Sequence, residues 1–262
     1  MKLVAILRAK DNIQTIGLCL QRLSDLTDGI IVADNDSTDG TLEIYKRFPK
    51  IKKVLHTKGY HEGRDKILLL DEAKKENPDW ILVIDHDEVF EKHLTRNIME
   101  NYMKSHYDHI VFRLCNYWLD DIHCRIDRYW FLYSFRPQRQ MWRNVPSAHF
   151  PNNHIHCGWI LGIGQKRYIS PYRLKHYGYS DPKQVKDKFD FYRKEEPDYK
   201  NKFEHLDPSI KAITYKYREF DNRFINTVWI YLFSWIASIL AWIVEFKRKH
   251  VKGVRFFSKY HG

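Results

Sequence analysis

Apolar runs alternate with amphipathic segments throughout the first third of the chain. Continuous apolar runs are typical of strands buried on both faces, and apolar side chains at helical spacing indicate helices packed on a sheet. The predicted strands are 3–7, 30–33, 53–56 and 80–84, and the predicted helices are 13–26, 41–48 and 64–76. Strands alternating with helices form a parallel sheet that binds ligands beyond the carboxyl ends of its strands. The pattern therefore predicts an α/β fold with its site at that edge.

Acidic residues follow two of these strands. Asp85 and Asp87 flank one residue directly after "WILVI", so both carboxylates are expected to face one crevice. Hard cations such as Mn²⁺ or Mg²⁺ prefer oxygen ligands and keep substrate phosphates among them. The pair is therefore a candidate metal site, with an acidic turn that caps the next helix as the alternative, and we expect Glu88 to support the loop. Asp39 is expected to cap the helix that begins at residue 40 or 41.

The pattern changes after residue 110. Short aromatic strands are predicted at 110–119, 128–135 and 139–143, followed by a histidine-rich loop at 149–156 and helical spacing at 182–193. The chain shows no internal repeat and no low-complexity linker. We expect one α/β domain that carries an apolar tail.

That tail contains 21 uncharged residues, Phe224 to Val244. At about 1.5 Å per residue such a helix is long enough to cross a bilayer core of roughly 30 Å. A spanning helix, a helix lying on the membrane and a buried core helix all fit this segment. Basic residues on both sides give no orientation. We expect membrane association through it.

Composition narrows the choice of partner and compartment. The net charge of +11 and the pI near 9.3 favour a polyanionic partner, such as an acidic membrane surface or a phosphorylated substrate. No nucleic-acid-binding motif accompanies the charge, so no nucleic acid is expected. The four cysteines show no metal-finger spacing, and the first apolar run is too short for a signal peptide. These features predict a reduced, cytoplasmic catalytic domain.

The stretch "IIVADNDSTDGT" (30–41) has two chemical interpretations. In the first, Asp34 is the nucleophile and Asp36 the acid/base of a phosphoryl-transfer hydrolase of the haloacid dehalogenase type, which also needs Mg²⁺. That motif normally ends the first strand, whereas a complete strand and helix precede it here. In the second interpretation, the stretch is the mouth of a nucleotide pocket.

Four segments favour the second interpretation. "VADNDSTDGT" is similar to the "VDNGSTDGT" of family-2 glycosyltransferases, and "WILVIDHDEVF" resembles their DxD motif. "EGRDKILLLDEA" resembles their "RN…A" helix, and "AILRAKDNIQTIGLCLQRL" their first strand and helix. The segments occur in the family's order over residues 1 to about 115.

The resemblance implies a GT-A (Rossmann-like) fold, a mixed sheet flanked by helices, here with a C-terminal apolar helix. It divides the chain into a nucleotide-sugar-binding half (1–115), an acceptor-side half (116–207) and a membrane-associating tail (208–262). The implied ligands are a nucleotide-diphosphate sugar and a divalent metal, Mn²⁺ or Mg²⁺. The residues it places at the nucleotide sugar are Arg8, Asp34, Arg64 and Asp85, and those it places at the metal are Asp85, Asp87 and His176.

Two departures concern the first loop. Asp36 replaces the family's usual glycine and needs a compatible backbone, since Asp tolerates positive φ less well than Gly. Asn35 stands where some members carry a second aspartate, so the bound nucleotide stays open.

The catalytic base is less clearly marked. Inverting members use an Asp or Glu to deprotonate the acceptor hydroxyl, but "NNHIHCGW" occupies the comparable region, with Cys157 where a Glu would help. His156 is one candidate, because an imidazole accepts a proton near neutral pH. Asp121, with its neighbour Asp120, and Asp181 compete for the role. His176 lies in "RLKHYGYSDPKQVKDKFDFY", which resembles a late family segment with His, Lys and Tyr, and a packed histidine is the alternative there.

The expected activity is metal-dependent, inverting transfer of a sugar to an acceptor hydroxyl on a glycan or lipid-linked precursor. A non-catalytic membrane adaptor with the same fold is the other alternative, prompted by the missing acidic base.

Overall fold

The computed structural model describes residues 1–125, 137–195, 206–207, 209 and 212–217. The strand predicted at 128–135 and the apolar segment 224–244 lie outside these residues. Among the helices of the described part, none has the length and apolar character needed to cross a bilayer.

Strands and helices alternate from the start of the chain. The strands are β1 (Leu3–Ala9), β2 (Gly29–Asp34), β3 (Ile51–His56), β4 (Trp80–Asp85), β5 (Glu88–Phe90), β6 (His109–Asn116), β7 (His123–Arg125), β8 (Pro137–Arg143), β9 (Arg167–His176) and β10 (Thr214–Lys216). The helices are α1 (Ile16–Leu26), α2 (Thr41–Tyr45), α3 (Glu62–Lys75), α4 (Arg96–Lys104) and α5 (Pro182–Glu195). The seven elements predicted before residue 85 are all present, with ends that differ by a few residues.

Eight strands form one sheet in the order β3-β2-β1-β4-β8-β6-β9-β5. The first four are mutually parallel, as predicted. Beyond β4 the sheet is mixed: β8 is antiparallel to β4 and β6, β9 is parallel to β6, and β5 is antiparallel to β9. The predicted mixed sheet flanked by helices is therefore confirmed.

Helices cover both faces of the sheet. On one face, α1 and α4 bury Leu20, Leu23 and Met99 against the strands. On the other, α3 contributes Leu69 and the loop after β8 contributes Phe150. Fully burying side chains of this size stabilises the fold by roughly 1.5–3 kcal/mol each. The two cores fix the sheet, so the loops at its carboxyl edge have a rigid base.

A second, two-stranded sheet of β7 and β10 is held to the edge of the main sheet. Just after β10, the Tyr217 hydroxyl donates to Glu91 Oε1 at 2.6 Å. Arg173 of β9 donates to the same carboxylate through its backbone nitrogen (2.8 Å) and its guanidinium Nη2 (2.8 Å). Glu91 is fully buried, so this three-residue contact ties the chain at residue 217 to the sheet.

Candidate active site

The loop between β4 and β5 carries the predicted metal ligands. Asp85 ends β4 and lies opposite Arg8, near the end of the neighbouring strand β1. Glu88 Oε2 accepts a hydrogen bond from the Asp85 backbone nitrogen at 3.0 Å. His86 Nδ1 lies 3.0 Å from the Arg8 carbonyl oxygen. The loop is thereby held against β1, and Glu88 supports it as the sequence indicated.

Asp87 is buried and faces two groups from the far end of the chain. Its Oδ2 lies 3.4 Å from His176 Nε2 at the end of β9 and 3.1 Å from Lys188 Nζ on α5. Burial raises the pKa of a carboxyl group, but Lys188 and His176 outweigh that effect and hold the pKa of Asp87 well below its usual range. Asp87 is therefore a carboxylate at neutral pH.

Asn116, at the end of β6, sets the tautomer of His176. Asn116 Oδ1 accepts a hydrogen bond from His176 Nδ1 at 2.6 Å, so Nδ1 carries the proton. In the neutral imidazole this leaves the Nε2 lone pair on the side of the Asp87 carboxylate, where both can bind one cation; in the protonated imidazole Nε2 instead donates its proton to Asp87. Metal-binding histidines are commonly oriented by such a second hydrogen bond.

The donor set at this point fits a divalent cation. Ligand atoms of Asp87, Glu88 and His176 lie within 4.8 Å of one another, and all three residues are buried. Carboxylate oxygens and an imidazole nitrogen suit Mn²⁺ and related ions. The structure thus brings together two of the three predicted ligands, Asp87 and His176, with Glu88 beside them, while Asp85 lies at the strand end that precedes them.

Gly178 is required for this close packing. A Cβ at Gly178 would collide with Asp87 Oδ2 and Lys188 Nζ and would lie 2.7 Å from His176 Nε2. Only a residue without a side chain lets the chain after β9 pass so near the carboxylate.

Arg8 provides positive charge beside Asp85. Its guanidinium lies 3.6 Å from Asp65 Oδ2, 3.7 Å from Glu62 Oε1 and 5.2 Å from the ring centre of Tyr60. Burial lowers the pKa of Arg8, but Asp85 and the other acids more than offset this, so the net shift is upward. Arg8 therefore stays a cation at the predicted pocket.

Arg64 is occupied within its own loop. Its guanidinium donates to the carbonyl oxygens of Lys58 and Gly59, both at 2.8 Å, and to Asp65 Oδ1 at 2.7 Å. These bonds close the turn between β3 and α3. Contact between Arg64 and a diphosphate stays a prediction.

The loop that contains His156 is bound to the start of α3. Glu62 and Gly63 donate backbone hydrogen bonds to the carbonyl oxygens of His154 (2.9 Å) and Asn153 (2.8 Å). The His156 ring stacks on Tyr192 of α5 at 5.9 Å between ring centres and 11° between planes. Tyr192 is one helical turn beyond Lys188, so His156 lies against the helix that reaches Asp87.

This arrangement can be compared with known proteins. The family described as "Glycosyl transferase family 2" matches residues 5–161, more than half of the chain. This chain belongs to glycosyl transferase family 2. No curated protein matches it.

Solved structures with a similar fold include TarS 1-349 of S. aureus in complex with UDP-GlcNAc, with a TM-score of 0.47 and 15% identity over 67% of this chain. The chain spans 58% of that TarS chain. A second is glucosyl-3-phosphoglycerate synthase from Mycobacterium tuberculosis in complex with Mg²⁺ and UDP, with a TM-score of 0.33 and 14% identity over 44% of this chain and 43% of that chain. A third is GalNAc-T7 with UDP, GalNAc and Mn²⁺, with a TM-score of 0.37 and 12% identity over 44% of this chain and 24% of that chain.

In this family-2 glycosyltransferase, Asp34 lies inside the first loop. Its carboxylate is fully buried and accepts from the Ser37 backbone nitrogen (2.8 Å), the Ser37 hydroxyl (2.8 Å) and the Tyr45 hydroxyl (2.7 Å). An enclosed carboxylate with both oxygens occupied is unsuited to attack a phosphate, so the phosphoryl-transfer interpretation of Asp34 and Asp36 loses its nucleophile. Contact between Asp34 and a nucleotide stays a prediction.

The other aspartates have local roles. Asp39 Oδ1 accepts from the backbone nitrogen of Thr41, the first residue of α2, at 3.0 Å, while Gly40 rather than Asp39 is the N-cap residue. Asp181 Oδ1 accepts from the Lys183 and Gln184 nitrogens and caps α5. Asp121 is exposed in the turn between β6 and β7. Neither observation places Asp121 or Asp181 beside the metal ligands.

Lys188, Asn116 and Gly178 were missed as site residues. Lys188 had a usable signal, because it stands with Tyr192 in the late segment that resembles the family. Gly178 lies in the same segment, whereas Asn116 carries no local motif and only the pairing of β6 with β9 reveals it.

Proposed function

We propose that this chain transfers a sugar from a nucleotide-diphosphate donor to an acceptor hydroxyl, with a divalent metal in the site. The observation that carries the proposal is the buried cluster of Asp87, Glu88 and His176. It lies where the carboxyl end of β4 meets the end of β9, which is the edge at which α/β sheets bind ligands. Membership of glycosyl transferase family 2 supports the reaction class.

Each residue of the site has a distinct task in this proposal. Asp87 and His176 hold the metal, and Asn116 keeps the Nε2 lone pair of His176 available to it. When bound, a divalent ion offsets the negative charge that develops on the departing nucleoside diphosphate. Arg8, a cation beside Asp85, adds positive charge for the donor.

We propose His156 as the base that deprotonates the acceptor hydroxyl in a single, inverting displacement. Its stacking on Tyr192 places it against α5, the helix that reaches the metal ligands. An imidazole has the right proton affinity for this task near neutral pH. Asp121, the rival candidate, lies in an exposed turn, where water would compete with the acceptor.

The acceptor is proposed to be a glycan or a lipid-linked precursor at a cytoplasmic membrane surface. Two sequence features support this choice: the uncharged segment 224–244 and the net charge of +11, which favours an anionic surface.

A melting experiment tests the donor site directly. The purified protein is heated with a panel of nucleoside diphosphates and nucleotide sugars, with and without Mn²⁺. At 100 times its dissociation constant a ligand adds about 2.7 kcal/mol of stability. For a chain of this size that corresponds to a rise in melting temperature of roughly 5–10 °C. We expect a metal-dependent rise with one nucleotide.

Two variants give the result its meaning. Asp87→Ala should abolish the rise, whereas Asp71→Ala, at an exposed position of α3, should leave it unchanged. If vanadate stabilises the protein and no nucleotide does, the result contradicts the proposal and favours phosphoryl transfer. Nucleotide-sugar binding without any turnover on glycan or lipid-linked acceptors would favour the adaptor.

A further inference from the structure

Lys188 contacts the metal-binding oxygen of Asp87. The lysine comes from the middle of α5, 101 residues after its partner, and its ammonium donates to Oδ2 at 3.1 Å. It also lies 4.7 Å from the ring centre of Tyr179, a favourable place for a cation. Its side chain is 33% exposed, so it is neither a core residue nor a freely solvated one.

The same oxygen faces His176. Because Nε2 of His176 lies 3.4 Å from Oδ2, a cation shared by these two ligands has to occupy the space beside Oδ2 that the ammonium already borders. Mg²⁺ binds carboxylate oxygens at about 2.0–2.1 Å, so a bound ion would lie within a few ångströms of Nζ. Like charges so close together repel, and the repulsion is strengthened because Asp87 and His176 are buried.

Gly178 shows how closely these groups are packed. A Cβ added there would collide with both Lys188 Nζ and Asp87 Oδ2 and would lie 2.7 Å from His176 Nε2. The ammonium, the carboxylate oxygen and the imidazole nitrogen therefore border one small space, and a divalent ion bound there would lie close to the ammonium.

We propose that the Lys188 ammonium and a divalent ion exclude one another on Asp87. This inference rests on the proposed metal-dependent function. The ammonium neutralises a buried carboxylate and supports the loop after β4. A divalent ion bound to Oδ2 would displace the ammonium, and the side chain would stay on α5 beside His156 and Tyr192. Lys188 is thus a positioning residue that opposes metal binding.

The experiment is a Mn²⁺ titration without nucleotide, followed by melting temperature, on the full chain and on Lys188→Met. In EDTA the variant should melt at a lower temperature, because its buried Asp87 has lost a partner. Mn²⁺ should then stabilise it more than the unaltered protein, and half of the effect should be reached at a Mn²⁺ concentration about tenfold lower, equivalent to about 1.4 kcal/mol.

Three further variants isolate the charge. Lys186→Met removes a lysine from an exposed position of the same helix and should match the unaltered protein. Lys188→Arg keeps the charge and should retain weak Mn²⁺ binding. Lys188→Gln keeps a hydrogen-bond donor without charge, so it should bind Mn²⁺ tightly, and it decides the question if the Met variant does not fold.

An equal or smaller response to Mn²⁺ in the uncharged variants overturns the inference, and so does the absence of any response. That outcome is separable from failure of the proposed function, which is read from nucleotide binding to the unaltered protein. A protein that binds nucleotide with Mn²⁺, while Lys188→Gln gains no Mn²⁺ affinity, retains the function and loses the role of Lys188.

Discussion

The two halves of the main sheet build their loops in different ways. In the parallel half (β3, β2, β1, β4) the contacts of the first loop are shorter in range: Asp34 bonds to Ser37, three residues on, and to Tyr45, eleven residues on, and the Thr38 nitrogen donates to Asp11, 27 residues away. In the mixed half (β8, β6, β9, β5) the contacts are remote. Asp87 and Lys188 are 101 residues apart, and Glu91 and Tyr217 are 126 apart.

Because of this difference, the first loop can be recognised in the sequence, whereas the charged cluster appears only once the sheet has assembled. Local closure makes the first loop a compact motif that is visible in sequence, whereas the charged cluster forms only after β9 has paired with β6 and β5. Substitutions in the mixed half should therefore cost more stability than substitutions in the first loop. Three substitutions test that ordering.

The largest loss is expected at Glu91. Replacing Glu91 with Ala leaves the Arg173 guanidinium, whose side chain is 16% exposed, without its carboxylate. Breaking a buried ion pair in this way costs about 3–5 kcal/mol. Chemical denaturation measures the loss. Glu43→Ala, which breaks an exposed pair with Lys46, serves as control and should cost well under about 1 kcal/mol. Equal losses in the two variants would contradict the comparison.

A smaller loss is expected at Gly178. In Gly178→Ala the new methyl group meets Asp87, His176 and Lys188, and overpacking of this kind costs typically about 1–3 kcal/mol. The stabilisation by Mn²⁺ should fall with it, because the same collision separates the ligands. Melting curves with and without Mn²⁺ provide both readings. Gly158→Ala, where nothing lies within 4 Å of the added carbon, should leave both unchanged.

The smallest effect, and of opposite sign, is expected at Asp36. This exposed residue has φ of 54°, which is in the left-handed region that favours glycine. Asp36→Gly should raise the free energy of unfolding by up to about 1 kcal/mol. Asp36→Ala retains the Cβ and should not gain, so a gain in both variants would point to charge rather than backbone as the cause.

The first loop shows what the sequence provides and what it does not. The replacement of the family's glycine by Asp36 drew attention to the backbone there, and the structure gives that residue a positive φ. The strands at 3–7, 30–33 and 80–84 were equally clear, because buried parallel strands are continuously apolar.

Strand β9 shows why the rest was missed. Its sequence, "RYISPYRLKH", is largely polar and contains Pro171, which cannot donate to a ladder and normally argues against an interior strand. The pairing with β6 shifts register between Val111 and Arg113, close to the proline. Helix α4 was also missed; it is short and fully buries only Met99 and Met103, with Ile98 and Tyr102 partly buried beside them.

The residues of the candidate site also differ in whether the sequence marks them. Asp87 was found from its position after a buried strand, and His176 from a resemblance. Lys188 lies in the same late segment as His176, so the resemblance could have marked it as well. Asn116 acts through a contact that crosses 60 residues, and that spacing has no period or motif that sequence reasoning could use.

The attachment of Tyr217 to Glu91 and Arg173 also sets a limit on reach. Phe224, the first residue of the uncharged segment, follows Tyr217 by seven residues. A fully extended chain of that length spans roughly 25 Å. The segment therefore begins within that distance of Tyr217, whose hydroxyl is held by the buried carboxylate of Glu91 at the sheet edge. Glu91 thus limits how far the start of the tail can move from the sheet.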